Sequence, residues 1–73
     1  MAMEYLIVYF PEQRRVMIDH ADSGFDTNVV IETDGGHHTI SLDNPLDYTP
    51  EAQEIVLEGT NVLAPEEVTF EKK

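Results

Sequence analysis

The stretch Val29-Val30-Ile31-Glu32-Thr33-Asp34-Gly35-Gly36-His37-His38-Thr39-Ile40-Ser41-Leu42 decides the fold class of this chain. Two runs rich in β-branched residues flank Asp34-Gly35-Gly36. Asp-Gly and Gly-Gly supply the positive φ angles that tight hairpin turns require, so the stretch predicts two paired antiparallel strands. Similar runs lie on both sides of it, and no helical period is long enough to compete. The expectation is one all-β domain over residues 1–73: a small antiparallel β-sandwich, immunoglobulin- or transthyretin-like, of six to seven short strands.

Working outward, Tyr5 to Phe10 is apolar at nearly every position, as suits a central strand covered on both faces. After a turn at Pro11-Glu12-Gln13, Arg15 to Asp19 reads as a strand with Val16 and Ile18 on one face. His20 to Asn28 is rich in Asp, Ser, Gly and Asn and reads as a loop. Beyond the Gly-Gly hairpin, Asp43-Asn44-Pro45 ends a strand, and a longer connection leads to Gln53 to Glu58. There Ile55 and Leu57 share one face and Val56 takes the other. Thr49 to Leu57 has a helical alternative, because Thr49-Pro50-Glu51 resembles a helix start; its β-branched end and Gly59 favour a strand. After Gly59-Thr60-Asn61, Val68 to Phe70 gives a last short strand.

Composition bounds what such a domain can do. Leu, Ile, Val and Phe make up 20 of 73 residues, enough for a thin core. Cys is absent, so good packing or a covering partner must complete the domain. Four Lys and Arg against fifteen Asp and Glu give a net charge of −11. That field repels nucleic acid and anionic membranes and favours basic partners. No basic residue precedes the apolar run of Met1 to Phe10, and Pro11-Glu12 closes it too early for a signal peptide or a membrane span, so a cytoplasmic location is expected.

Several residues resemble the PEGA domain, a family named for a Pro-Glu-Gly-Ala turn followed by a strand ending in Asp-Gly, a short turn and a Gly-led strand. The matching features are Pro11-Glu12, Val16-Met17-Ile18-Asp19, Ser23-Gly24, Val29 to Ile31, and Gly36-His37-His38-Thr39-Ile40-Ser41-Leu42. Gln13-Arg14 stands where the family has Gly-Ala, His20 where it has Gly, and Thr27-Asn28 where Thr-Pro is usual. The resemblance implies a small β-sandwich-like module without known catalysis, often appended to larger, surface-associated proteins.

Candidate sites are sparse. His37 and His38 are adjacent, so on a strand they point to opposite faces and cannot chelate one ion together; one exposed and one partly packed His is expected. Asp19, Asp22 and Asp26 bring carboxylates and a Gly together, as in a calcium loop. They lack the alternating spacing and the closing bidentate Glu, which leaves them weak metal candidates. Ser23 and Ser41 lie in no nucleophile motif, and no phosphate-binding Gly loop precedes a helix. Neither an enzyme nor a cofactor is expected. Tyr5 and Tyr9 share a strand face, which reads first as sheet packing and second as a sugar platform. Phe25 and Tyr48 are large aromatics in polar surroundings, either plugs for the sandwich end or anchors for a partner. The primary expectation is a non-catalytic protein-interaction module, with a weak homodimer compatible. The alternative is a calcium- or carbohydrate-responsive binding module, and an acidic mimic of nucleic acid ranks last.

Overall fold

A computed structural model describes residues 3–73. Positions 1 and 2, where the Met1 to Phe10 run begins, lie outside the described residues. Among the described residues there are nine strands: β1 (Met3–Tyr9), β2 (Arg15–Ile18), β3 (Ala21–Asp26), β4 (Val30–Asp34), β5 (Gly36–Leu42), β6 (Tyr48–Thr49), β7 (Gln53–Leu57), β8 (Glu66–Thr69) and β9 (Glu71–Lys72). They form a three-stranded sheet β4-β1-β8, a four-stranded sheet β3-β2-β5-β7 and a small pair β6-β9. The radius of gyration is 11.3 Å, against about 11 Å expected for a compact domain of this length. The all-β expectation holds, with more and shorter strands than the apolar runs suggest. Thr49 to Leu57 is extended: β6 and β7 take it up, and no helix occurs among the described residues.

The central Gly-Gly stretch is not a hairpin. Val30–Asp34 pairs antiparallel with β1, whereas Gly36–Leu42 pairs with β2 and β7 in the other sheet. Gly35 alone separates the two strands, and Gly36 sits at φ 105°, so the chain bends from one sheet into the other. Local chemistry could not distinguish these outcomes. A Gly-Gly hairpin would set Ile31 opposite Ile40 within one sheet. The crossover instead brings both into the core from opposite sheets, where each is fully buried. The crossover wins because β1 offers Val30–Asp34 a five-residue register while β2 and β7 occupy both edges of β5.

The tight hairpin lies earlier. Asp19 (φ 53°) and His20 (φ 66°) connect β2 to β3 with positive φ at both central positions, the signature of a type I′ turn. The predicted loop His20 to Asn28 is therefore mostly strand. Its abundance of Asp, Ser and Gly reflects a bulge: Arg15 pairs with Asp26 and Met17 with Asp22, so Ser23, Gly24 and Phe25 stand against Val16 alone.

The first strand is also covered on one face only. Leu6 and Val8 are fully buried, while Met3 and Tyr9 on the opposite face are exposed and Tyr5 and Ile7 are half-buried. β8 joins β1 in parallel, which sets Val68 beside Val8 in the core, and the chain then runs on into β9 beside β6. Leu6, Val8, Phe10, Val16, Ile31, Ile40, Leu42, Tyr48, Leu57, Val68 and Phe70 make up the core. Tyr48 meets Phe10 and Phe70 edge-on, with ring centroids 6.2 and 5.5 Å away. Under this end of the core, Arg14 chelates Asp47 at 3.0 and 3.2 Å and lies over Phe10, and Lys72 bridges Asp47 and Glu12 at 2.7 and 2.6 Å.

Candidate functional site

The outer face of the three-stranded sheet is an apolar feature that the fold leaves uncovered and whose continuity the strand register establishes. Alternation along β1 sends Leu6 and Val8 into the core and places Met3, Tyr5, Ile7 and Tyr9 outside. Register then sets Ile7 beside Val30 of β4 and Glu67 of β8, Tyr5 beside Glu32, Tyr9 beside Thr69, and Met3 beside Asp34. Met3, Tyr9 and Val30 are 43, 39 and 37% exposed. The result is a stripe of Met, Tyr, Ile and Tyr widened by Val30, with Glu32, Asp34 and Glu67 along its rim.

The rim acts on the stripe. The Tyr5 hydroxyl donates to Glu32 Oε2 at 3.0 Å, and that bond, with the charge of Glu32, raises the phenol above its ordinary range. Tyr5 is thus fixed as a neutral donor lying across the sheet. At the same end, Glu4 accepts from Thr60 N at 2.8 Å and Thr60 Oγ1 at 2.6 Å, which holds its carboxyl below the usual range. Tyr5 N in turn donates to Thr60 Oγ1 at 2.7 Å. These contacts anchor the β7–β8 connection, whose next turn presents Val62 and Leu63 at 58 and 92% exposure. Asn61 Oδ1 braces that turn by accepting from Leu63 N and Ala64 N.

Charge distinguishes this sheet from the rest of the molecule. β1, β4 and β8 together carry Glu4, Glu32, Asp34, Glu66 and Glu67 and no Lys, Arg or His. Arg14, Arg15 and Lys72 are all engaged elsewhere with Glu12, Asp22, Asp26 and Asp47. The face is apolar at its centre, and the charged side chains that register places on its rim, Glu32, Asp34 and Glu67, are all acidic.

The residues singled out from sequence are scattered. Arg15 holds two of the calcium candidates: Nη1 lies 2.9 and 3.0 Å from the two Asp22 oxygens, and Nε lies 3.0 Å from Asp26. Both carboxyls sit below their ordinary range. For Asp22 the Arg15 bond is the main cause; for Asp26 the Gln13 amide comes first and Arg15 second. Asp19 lies at the far end of the hairpin, where Oδ1 accepts from Thr39 N at 2.9 Å and Oδ2 lies 2.7 Å from His38 Nδ1. The three acids therefore do not converge. Among the described residues no group of three His, Asp or Glu side chains is placed to hold a metal ion.

His37 and His38 part to opposite faces, as adjacency on a strand requires. His37 pairs with Glu54 at 3.1 Å in the open, whereas the His38 side chain is only 11% exposed. Phe25 sits on the β3 bulge at 39% exposure. Tyr48 is a plug: it is buried, and its hydroxyl donates to Leu42 O at 2.7 Å and accepts from Leu42 N at 3.3 Å.

Sequence reading missed Met3, Ile7, Val30, Glu32, Asp34 and Glu67 as neighbours of the two tyrosines. One signal was available. Tyr5 and Tyr9 lie opposite in phase to Leu6 and Val8, and aromatic rings that each carry a hydroxyl mark a face that meets water. The Val62-Leu63 turn carried no comparable signal. Comparison of the chain with protein-family models, with curated proteins and with solved structures finds no match.

Proposed function

We propose that this protein is a non-catalytic interaction module that docks a cationic protein surface on the outer face of β4-β1-β8. The observation that carries this reading is the Met3-Tyr5-Ile7-Tyr9 stripe with Val30, open on a sheet with five acidic and no basic side chains. An apolar centre inside a charged rim is how protein interfaces divide affinity from steering. The charge selects the occupant: a second copy would bring like charges together, whereas Lys and Arg beside apolar side chains would meet Glu32, Asp34 and Glu67.

Two further points favour binding over catalysis. Both ring nitrogens of His38, the most enclosed imidazole, are already engaged, so it has no free nitrogen for general-base work. The resemblance of Tyr5 to about Phe70 to PEGA domains points to a module of the same kind. A glycan is the second occupant that a tyrosine face could take, favoured by Tyr5 and Tyr9 standing on the same face of one strand.

A photo-crosslinking residue at Thr69, beside Tyr9, tests the reading in cells against the same residue at Glu51 in the β6–β7 connection. The expected outcome is a discrete adduct from position 69 alone, with a basic protein. The double variant Tyr9→Glu, Val30→Glu should abolish it while retaining the melting midpoint. Identical adducts from both positions, or an adduct indifferent to the double variant, would sink the proposal.

A further inference from the structure

His38 stands where the β2–β3 turn meets the crossover between the sheets. Its Nδ1 lies 2.7 Å from Asp19 Oδ2 and its Nε2 lies 2.8 Å from the Asp34 carbonyl oxygen. A carbonyl oxygen accepts only, and an ionised carboxylate accepts only. A neutral imidazole has one N–H and could satisfy one of these contacts; its other nitrogen would then turn a lone pair toward an oxygen. A proton on Asp19 is the other arrangement that completes both bonds. It is disfavoured, because Asp19 Oδ1 also accepts from Thr39 N at 2.9 Å and its carboxyl is held below the usual range by that bond first and by His38 second. The arrangement closes with imidazolium donating at both ends.

We infer that His38 is a proton-operated clamp, joining the β2–β3 turn to the last residue of β4 while doubly protonated and releasing one of them when it loses a proton. The clamp spans the place where the chain passes between sheets. Asp34 is followed by Gly35 and by Gly36 at φ 105°, and two glycines in succession give the bend little stiffness of its own. Every charge facing the ring favours the proton. Asp19 comes from the β2–β3 turn and Asp34 from β4; β7 presents Ile55 opposite His38, with Glu54 turned to the outer face and paired to His37. His20 follows Asp19 in the turn and is exposed. The Asp19 bond is the largest influence raising the His38 titration, and it outweighs the partial burial that opposes it. Asp34 also forms part of the acidic rim, so the clamp ties one corner of the candidate docking face to pH. The clamp operates whether or not that face binds anything.

Imidazole ¹⁵N spectra of the intact chain across pH test it directly. The expected result is that both His38 nitrogens are of the protonated type at neutral pH and that His38 titrates above the ordinary imidazole value of about 6.5. Asp19→Asn should bring the His38 midpoint back toward that ordinary value. Backbone exchange protection at Gly36 to His38 should fall above the His38 midpoint, and in His38→Gln should show no such step. His38 titrating at or below the ordinary imidazole value of about 6.5, or carrying an unprotonated nitrogen while folded at neutral pH, would overturn the clamp. The wild-type titration decides this even if a variant does not fold.

Discussion

Tyr48 and Phe25 show how burial separates two aromatics that polar surroundings make look alike. The Tyr48 ring closes the core between Phe10 and Phe70, and its hydroxyl satisfies the N–H and C=O of Leu42. Tyr48→Phe leaves those buried groups short of a partner, with an expected cost of about 1–3 kcal/mol. Tyr48→Ala also opens a cavity and should cost about 3–5 kcal/mol. Phe25 stands on a bulge of edge strand β3, beside a turn fixed by Asp22 and Ser23. Phe25→Ala should change stability by about 1 kcal/mol or less. Urea denaturation of the three variants checks the ranking; a Phe25 effect as large as that of Tyr48→Ala would contradict it.

At the scale of elements, two positive-φ sites have opposite predicted responses. His20 occupies the second position of the Asp19-His20 turn at φ 66°, where a Cβ is strained. His20→Gly should stabilise the domain by about 0.5–1 kcal/mol, the relief of that strain less the added freedom of the unfolded chain. Gly36 has open space around it, with no atom within 4 Å of where a Cβ would sit, so its φ of 105° alone makes substitution costly. Gly36→Ala should destabilise by about 1–3 kcal/mol. Thermal melts measure both; a neutral Gly36→Ala would mean the crossover bend can relax without its glycine. Thr27 and Asn28 pin the connection between β1 and β2. Thr27 Oγ1 donates to Glu12 O and accepts from Arg14 N, while the Asn28 amide pairs with both backbone groups of Phe10.

Over the whole molecule, acidic side chains far outnumber the Lys and Arg that could pair with them. Arg and Lys engage four of the fifteen carboxylates, Glu12, Asp22, Asp26 and Asp47, in a chain of net charge −11. The molecule measures 35 × 21 × 19 Å. A Debye length of about 30 Å at 0.01 M salt leaves charges coupled across it, and one of about 8 Å at 0.15 M does not. Raising salt over that range should therefore raise the melting midpoint; a fall would show that the Arg14–Asp47–Lys72–Glu12 network dominates. The pH profile should have two limbs. Glu4, Glu12, Asp19, Asp22, Asp26 and Asp47 are all held below their ordinary range. Their contribution is present above the unfolded carboxylate value of about 4 and is lost as pH falls through the folded values. His38 is raised, so its contribution is full below about 6.5 and is lost as pH rises through its folded value. Melts across pH should place the maximum between those limits, and His38→Gln should flatten the upper limb.

Composition and alternation determined that this chain is all-β: the apolar runs are too short and too β-branched for helices, and period-two patterning put Val16, Ile18, Ile55 and Leu57 on the faces they occupy. They also placed His37 and His38 on opposite faces, because that parity is a property of any strand. Which strands are neighbours was decided only in three dimensions. The Asp34-Gly35-Gly36 stretch permits either a hairpin or a crossover, and the choice fell to long-range partners, β1 for β4 and β2 and β7 for β5. The true hairpin at Asp19-His20 carries no glycine at its turn and so gave no sign of itself. The candidate face was half legible, since Tyr5 and Tyr9 share a phase that the sequence displays. Its openness, its acidic rim from β4 and β8, and the meeting of Asp19, His38 and Asp34 arise from pairings between residues distant in sequence. No local pattern records them, because the energy that fixes them is the burial of a core shared by both sheets.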